Sequence, residues 1–274
     1  MSSTAKNAAA SKEHIEYLNK LRRHNRFIIA MQILILIVFI LAWEIAGRLG
    51  LVNTFIVSSP VRVAETIARL YKNGELFLHI GVTMLETVAG FAIGTLLGTL
   101  IAVLMWWSPT LSRILDPYMV VLNALPKIAL GPILIVWVGA GMEAIIVMAL
   151  LISTIVTVMT VFTGFNEIST EKQLLMRTLG ANRLQTFTKV VLPASVPTVM
   201  SALKLSVGMS WVGVIVGEYL VSKSGLGYLI VYGGQVFKLD LVMASIVILC
   251  ALAAIMYYAV AIVERRLLQK SGKL

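Results

Sequence analysis

Residues 82–106, which read VTMLETVAGFAIGTLLGTLIAVLMW, decide the fold class of this chain. The run contains a single charged residue, Glu86. At a rise of about 1.5 Å per residue, a helix of this length crosses the roughly 30 Å hydrocarbon core of a bilayer. Gly90, Gly94 and Gly98 repeat every four residues and give a face on which another helix can approach closely. The run therefore predicts a closely packed transmembrane helix, and packing explains the glycines more simply than a direct role in transport.

Five further apolar runs are long enough to span a membrane. They cover residues 27–46, 118–138, 144–162, 197–220 and 241–263. The run at 118–138 contains Pro126, Lys127 and Pro132, and proline bends a membrane helix by freeing a backbone carbonyl. The run at 27–46 is longer than the apolar core of a cleaved signal peptide, so we interpret it as a retained span. The sequence predicts an all-α polytopic membrane protein with six transmembrane helices.

The composition supports this fold class. Apolar residues make up 59% of the chain and charged residues 13%, whereas a soluble domain has about a quarter charged residues. Fifteen Lys and Arg residues lie in the tails and in the loops on one predicted side, against six on the other. By the positive-inside rule, both termini are expected in the cytoplasm.

Several function classes find no support in the residues. The net charge of +10 comes mainly from loops and tails, and no basic stripe with interleaved aromatic residues indicates nucleic-acid binding. Cys250 is the only cysteine, and the three histidines show no metal-ligand spacing. The chain has no Gly-x-Ser-x-Gly motif and no paired carboxylates. An enzyme is therefore not expected, and neither catalytic nor metal-binding residues are predicted.

The loop at 164–194 is longer than a connection between two spans requires. We predict two short helices within it, separated at Gly180, because glycine accepts the left-handed conformation that closes a helix. Asn182 is expected to cap the second helix, with Gln185 reaching back in a variant of the capping box. Pro193 is expected to end that helix before the fifth span begins.

The second helix of this loop is predicted to be amphipathic. Leu184, Phe187 and Val191 share one face. A helix lying on the membrane surface needs a broad basic face, but this one carries only Arg183 and Lys189. A helix with an apolar ridge that docks in the groove of a partner protein fits better, and Phe187 is expected to be its main contact.

The loop resembles a known family motif. Leu-Gly-Ala at 179–181, followed by Val-Leu-Pro at 191–193, is similar to the EAA loop of permeases in binding-protein-dependent ABC importers. This chain has Leu-Leu-Met at 174–176, where the family pattern has Glu-Ala-Ala. The resemblance extends over roughly 60–265 and is closest to the nitrate/sulfonate/taurine branch. Its other motifs are Gly90-Phe91, Leu125-Pro126 through Trp137 and Gly139, Gly217-Glu218, and Ser224-Gly-Leu-Gly-Tyr-Leu229.

The resemblance implies a type I ABC importer permease of MetI-like architecture in a bacterial plasma membrane. It divides the chain into an N-terminal cytoplasmic tail (1–26), a transmembrane domain (27–263, core about 78–263) and a C-terminal tail (264–274). It implies a homodimer, with pairing to a related permease left open. It also implies two cytoplasmic ATPase subunits and an extracytoplasmic binding protein that delivers a small solute. The residues implied to couple to the ATPase are Gly180, Ala181, Arg183, Leu184, Phe187, Leu192 and Pro193.

No nucleotide site is expected on this chain itself. It has no G-x-x-x-x-G-K-[ST] sequence, the loop that cradles nucleotide phosphates. ATP is therefore expected on the partner subunit, and no cofactor is predicted for this chain.

Polar residues within spans are candidates for the translocation pathway, because a carboxylate there costs about 2.5–3.5 kcal/mol on insertion scales. Glu218 lies near the outer end of the fifth span, two helical turns beyond Trp211. Glu86 and Asn123 are further candidates. Glu218 and Glu86 have a structural alternative, because each can hold an outer loop. Lys127, a weaker candidate in the same span as Asn123, can instead extend to the membrane interface.

A secondary transporter or channel with its own ion coupling is the alternative function. That class is expected to show inverted repeats and interrupted helices with convergent polar groups. The chain has few intramembrane acids and no clear repeat, and that function leaves the Gly180 loop unexplained.

Overall fold

The computed structural model describes residues 12–270, so the predictions for 1–11 and 271–274 lie outside the described residues. The chain divides into two compact units, residues 1–64 and 65–274. The first contains α1 (Lys12–Arg48), α2 (Thr54–Val57) and the start of α3 (Pro60–Lys72). The predicted first span lies inside α1, which is apolar enough to cross a membrane over Asn19–Arg48. The Asn53 side chain caps α2 by accepting the Phe55 N–H at 2.9 Å.

The second unit is built from long apolar helices joined by short ones. Its elements are α4 (Glu75–Trp107), α5 (Pro109–Ala124), a 3₁₀ helix (Lys127–Leu130), α6 (Gly131–Val138), α7 (Met142–Asn166), α8 (Thr170–Thr178), α9 (Arg183–Thr186), a π-helical turn (Phe187–Val191), α10 (Leu192–Val221), α11 (Leu226–Gln235) and α12 (Leu239–Lys270).

The all-α membrane fold is confirmed, but the third predicted span is not one helix. Five helices of the described chain are long and apolar enough to cross a membrane. A sixth span exists only if α5 and the helical segment Lys127–Val138, which meet at 88°, cross together. The bend falls at Pro126, whose ring lacks an N–H and disfavours helical backbone in the preceding Leu125.

Helix α7 packs between α4 and α10, and small residues make both contacts close. A Cβ on Gly94 would lie 2.4 Å from the Ser153 hydroxyl oxygen, and one on Gly213 would lie 2.5 Å from the Ala149 Cα. The Thr157 and Ser206 hydroxyls hydrogen-bond at 2.5 Å between α7 and α10. Helices in lipid associate through such close packing and interhelical hydrogen bonds. The packing role predicted for the glycine repeat is confirmed.

The prediction that Pro193 ends the loop helix is wrong. The helical path continues from Arg183 to Val221. In the π-helical turn, the Leu192 N–H reaches the Phe187 carbonyl, five residues back. This wider turn gives the ring of Pro193 room that a regular α-helix would deny it, and Pro193 itself falls in the first turn of α10.

Candidate functional site

The loop between α7 and α10 contains the predicted hinge at Gly180. Its φ is +77° and no atom would lie within 4 Å of a Cβ placed there. The Gly180 N–H donates to the Arg177 carbonyl at 2.9 Å, and the Ala181 N–H donates to the Met176 carbonyl at 2.9 Å. These two bonds form a Schellman motif, which needs a left-handed residue at this position. The sequence-based prediction for Gly180 is confirmed.

The start of α9 has the predicted capping box. The Gln185 N–H donates to the Asn182 Oδ1 at 2.8 Å, and the Asn182 N–H donates to the Gln185 Oε1 at 2.9 Å. Both ends of the connection between α8 and α9 are therefore held by local hydrogen bonds.

The expected position of Phe187 on an exposed ridge is wrong. Phe187 is 8% exposed. Its ring centroid lies 4.9 Å from that of Trp106, 5.6 Å from Phe165 and 6.3 Å from Trp107. Val191 on the same predicted face is also buried. Aromatic side chains at the ends of α4 and α7 attract this face, so Phe187 seats the loop on its own protein.

The exposed apolar surface of the loop lies elsewhere, on four leucines that we call the docking ridge. Sequence reasoning identified Leu184 and missed three other members, although two of those stand where the family pattern has Glu-Ala. The ridge residues and their exposed fractions are Leu174 (58%), Leu175 (60%), Leu179 (73%) and Leu184 (57%). Large apolar side chains exposed together on one loop indicate an interaction surface.

The remaining coupling candidates take different positions. The Arg183 guanidinium lies 5.5 Å from the Trp106 ring centroid and 5.8 Å from that of Trp107, and it donates to the Trp106 carbonyl at 3.1 Å. Arg183 thus ties α9 to the end of α4. Ala181 is half-buried, whereas Leu192 and Pro193 are exposed at the start of α10.

Glu218 lies at the far end of α10 and holds the start of α11. Its Oε2 accepts the Gly227 N–H at 2.5 Å and the Tyr228 N–H at 3.2 Å, while its Oε1 accepts the Thr83 hydroxyl at 2.6 Å. Its side chain is buried. It therefore caps α11 from another helix, a favourable place for a carboxylate. A Cβ on Gly225 would lie 2.5 Å from this carboxyl group, so only glycine fits there.

Two residues of α4 complete this cluster, and sequence reasoning missed both. The Leu226 N–H donates to the Thr83 hydroxyl oxygen at 2.8 Å, and the Gly225 N–H donates to the His79 Nδ1 at 3.0 Å. Their four-residue spacing on a helix, which places both on one face, was the available signal.

The structure brings Glu86 and Glu218 together. The Glu86 and Glu218 carboxyl groups are both buried and lie close enough for their charges to interact. The Glu86 Oε2 has no partner within the described residues. Asn123 lies apart on exposed backbone, where its carbonyl accepts the Lys127 ammonium at 2.9 Å. The Lys127 side chain thus reaches back across the bend to the end of α5.

Trp211 borders a separate cavity of about 530 Å³ between α10 and α12. Its side chain is 6% exposed, and its indole N–H has no acceptor within the described part of the chain. Tyr257, Tyr258 and Lys204 also line the cavity. The Lys204 ammonium is 2.9 Å from the Glu264 carboxylate. The cavity thus combines aromatic walls with a buried donor that lacks an acceptor. Among the side chains that the structure describes, no three of His, Cys, Asp or Glu cluster as metal ligands.

Comparison with known proteins places this arrangement in a family. The sequence model of the "Binding-protein-dependent transport system inner membrane component" family matches residues 94–269. A putative aliphatic sulfonates transport permease of Bacillus subtilis is 30% identical over 85% of this chain and 84% of its own length. The taurine transport system permease of Escherichia coli is 23% identical over 87% of this chain and 88% of its own length.

A solved structure shares the fold. The MetNI methionine ABC transporter in an inward-facing conformation matches with a TM-score of 0.57 and 22% identity, over 69% of this chain and 92% of the solved chain. The family match covers α4 from Gly94 through most of α12, including the hinge, the docking ridge and Glu218. The chain belongs to the binding-protein-dependent transport system inner membrane components, the permease subunits of ABC importers.

Proposed function

We propose that this chain forms the translocation pathway of an importer for a small sulfonate-, taurine- or nitrate-like solute. An extracytoplasmic binding protein delivers the solute, and a separate cytoplasmic ATPase subunit drives the transport cycle. The docking ridge carries the proposal, because four exposed leucines stand on a loop whose hinge and cap are fixed by hydrogen bonds. Such a surface suits the groove of a partner protein. The names of the sulfonate and taurine relatives support the solute class.

The continuous helical path from Arg183 to Val221 supplies the coupling route. It begins beside the docking ridge and ends with Glu218. A displacement of the loop by the ATPase therefore moves the whole of α10, including Trp211 and Glu218, because a helix transmits displacement along its axis. ATP-driven closure of the partner subunits would open the cavity between the two permease copies toward the outside, and ATP hydrolysis would reverse this movement.

The assembly that we propose contains two permease copies and two ATPase subunits. Helix α5 supports the pairing, because none of its residues is buried and Asp116 and Asn123 interrupt its apolar surface. A second copy of this chain would cover that surface. Mass measurement of the purified transporter would distinguish a homodimer from pairing with a related permease.

The docking ridge can be tested with Leu175→Gln and Leu179→Gln. Because interface hot spots contribute about 2 kcal/mol or more, each variant is expected to weaken association with the ATPase subunit about 30-fold or more. The matched control is Leu51→Gln, since Leu51 is 75% exposed and lies outside the loop. Full co-purification of the ATPase with both ridge variants would contradict the coupling role.

Trp211 can be tested as a pathway residue with Trp211→Phe, which keeps an aromatic ring and removes the N–H donor. We expect a higher KM for solute uptake, because a solute oxygen is the acceptor that this donor lacks. Unchanged uptake kinetics would indicate that Trp211 serves only in packing. The same measurement on Asn123→Ala tests the exposed candidate of the bent span.

In the proposed topology, both termini and the docking ridge lie on the cytoplasmic side of a bacterial inner membrane. A cysteine at Asn73, between α3 and α4, is expected to react with a membrane-impermeant thiol reagent applied outside. Cys250 must first be replaced by Ala, because it is exposed. Labelling that requires permeabilised cells would reverse the topology.

The burial of two carboxyl groups, Glu86 and Glu218, whose charges interact is the observation that favours the alternative, a secondary transporter with its own ion coupling. Uptake into proteoliposomes without ATP separates the two functions. An importer permease shows none, whereas an ion-coupled transporter shows uptake driven by an ion gradient.

A further inference from the structure

A second cavity, of about 490 Å³, lies beside the coupling loop and has a strongly basic lining. Three arginines from different elements border it: Arg113 on α5, Arg177 in the last turn of α8 and Arg183 at the start of α9. Ser112 and Asn166 add polar groups to the same lining. Within the described part of the chain, no carboxylate lines this cavity.

Among the described residues, no acidic side chain neutralises the three guanidinium groups. Arg183 stacks on two tryptophan rings and donates to a backbone carbonyl, neither of which carries a negative charge. No ion pair of Arg113 or Arg177 occurs among the described residues. An anion bound in the cavity would be attracted by all three positive charges that border it. The arrangement therefore suits a ligand with more than one negative or strongly accepting oxygen.

The position of the cavity indicates where such a ligand comes from. Trp106 lines the cavity, and Trp106 and Trp107 end the apolar helix α4. Tryptophan at the end of a membrane span lies at the level of the lipid headgroups. Basic pockets between transmembrane helices at that level bind the headgroups of anionic lipids.

We propose that this cavity binds a phosphate group held by Arg113, Arg177 and Arg183, and that the phosphodiester of an anionic phospholipid supplies it. The bound headgroup bridges α5 to the coupling loop, because its three ligands come from both. Free inorganic phosphate has the same chemistry and is the other source that the experiment must separate. The site is independent of the transported solute and of the docking ridge.

The test compares the full-length chain in nanodiscs of phosphatidylcholine with and without phosphatidylglycerol. Thermal unfolding and native mass spectrometry report the stabilisation and the retained lipid. Each lost guanidinium is expected to weaken retention of phosphatidylglycerol about fivefold, so Arg113→Gln with Arg177→Gln should weaken it about 25-fold. Arg113→Lys with Arg177→Lys should restore much of it. The matched control is Lys189→Gln, an exposed basic residue of the same loop that does not line the cavity.

Each outcome decides the proposal. Loss of phosphatidylglycerol retention in the glutamine variants, but not in Lys189→Gln, supports the lipid headgroup. Stabilisation by inorganic phosphate in phosphatidylcholine nanodiscs, abolished by the same substitutions, supports the site with a free anion as its ligand. Equal retention by wild type and the double variant overturns the proposal. If the double variant does not fold, the two single variants carry the same test. Neither readout uses ATPase association or uptake, so a failure here is distinct from a failure of the proposed function.

Discussion

Phe187→Ala tests whether the loop is seated on the permease or held by its partner. The ring is 8% exposed and packs against Trp106, Phe165 and Trp107. Removing a buried Phe side chain costs about 3–5 kcal/mol in a packed core. Because the loop can relax into part of the space, we take the lower value of about 3 kcal/mol for local opening. This raises the open fraction of the loop more than 100-fold.

Hydrogen exchange measures this opening directly. In Phe187→Ala, amides of the π-helical turn and the start of α10 should exchange more than 100-fold faster, while those in the middle of α7 stay protected. Phe187→Met keeps much of the apolar volume and should recover most of the protection. Leu175→Ala serves as the surface reference and should change protection little, because a substitution at an exposed site costs within about 0.5 kcal/mol.

Two results would refute this reasoning. Unchanged exchange in Phe187→Ala would mean that the ring does not seat the loop. Equal loss of protection in Leu175→Ala would mean that the docking ridge, and not the buried aromatic cluster, holds the loop in place. ATPase association separates the roles further, since Leu175→Gln should reduce it without loosening the loop.

Two further predictions follow from the packing. Glu218→Ala leaves the Gly227 and Tyr228 N–H groups without their acceptor, which costs about 1–3 kcal/mol for each group. Amides of α11 should therefore exchange faster, whereas Glu218→Gln, which keeps an acceptor oxygen, should have a smaller effect. Wild-type protection of α11 in Glu218→Ala would show that Glu218 does not cap this helix. Gly94→Val should lower the unfolding temperature, because its Cβ would lie 2.4 Å from a Ser153 oxygen. The control is Gly81→Val, since no atom would lie within 4 Å of a Cβ at Gly81. Equal shifts of the unfolding temperature in both variants would show that the contact between α4 and α7 is not tight.

The sequence predicted those features that depend on local patterns. The spans, the left-handed Gly180 and the capping box of Asn182 with Gln185 each follow from residues close together in the chain, and the structure has all of them except an unbroken third span. A run of apolar residues shows that a segment can enter a membrane. It does not show how far a proline bends the segment, because the angle also depends on contacts with helices that are distant in the sequence.

The remaining differences come from tertiary contacts. Helical periodicity places Phe187 on an apolar face, but it cannot show whether that face meets a partner or its own protein. The two tryptophans that decide this lie about 80 residues earlier in the chain. In the same way, Glu218 was recognised as an unusual carboxylate, while its partners Thr83 and Gly227 become visible only when α4, α10 and α11 come together.

These contacts also restrict how α10 can move. At one end, α10 is joined to α4 by the bond between Glu218 and Thr83. At the other end, the helical path that continues α10 is joined to α4 by Phe187 and Arg183, which both contact Trp106. Because both ends are fixed to the same helix, sliding of α10 along α4 would break polar contacts in a medium that offers few replacements. We therefore expect α4 and α10 to move together when the docking ridge is displaced. The adjustment would then fall on the bend between α5 and the following 3₁₀ helix, where Pro126 has already interrupted the backbone hydrogen bonds.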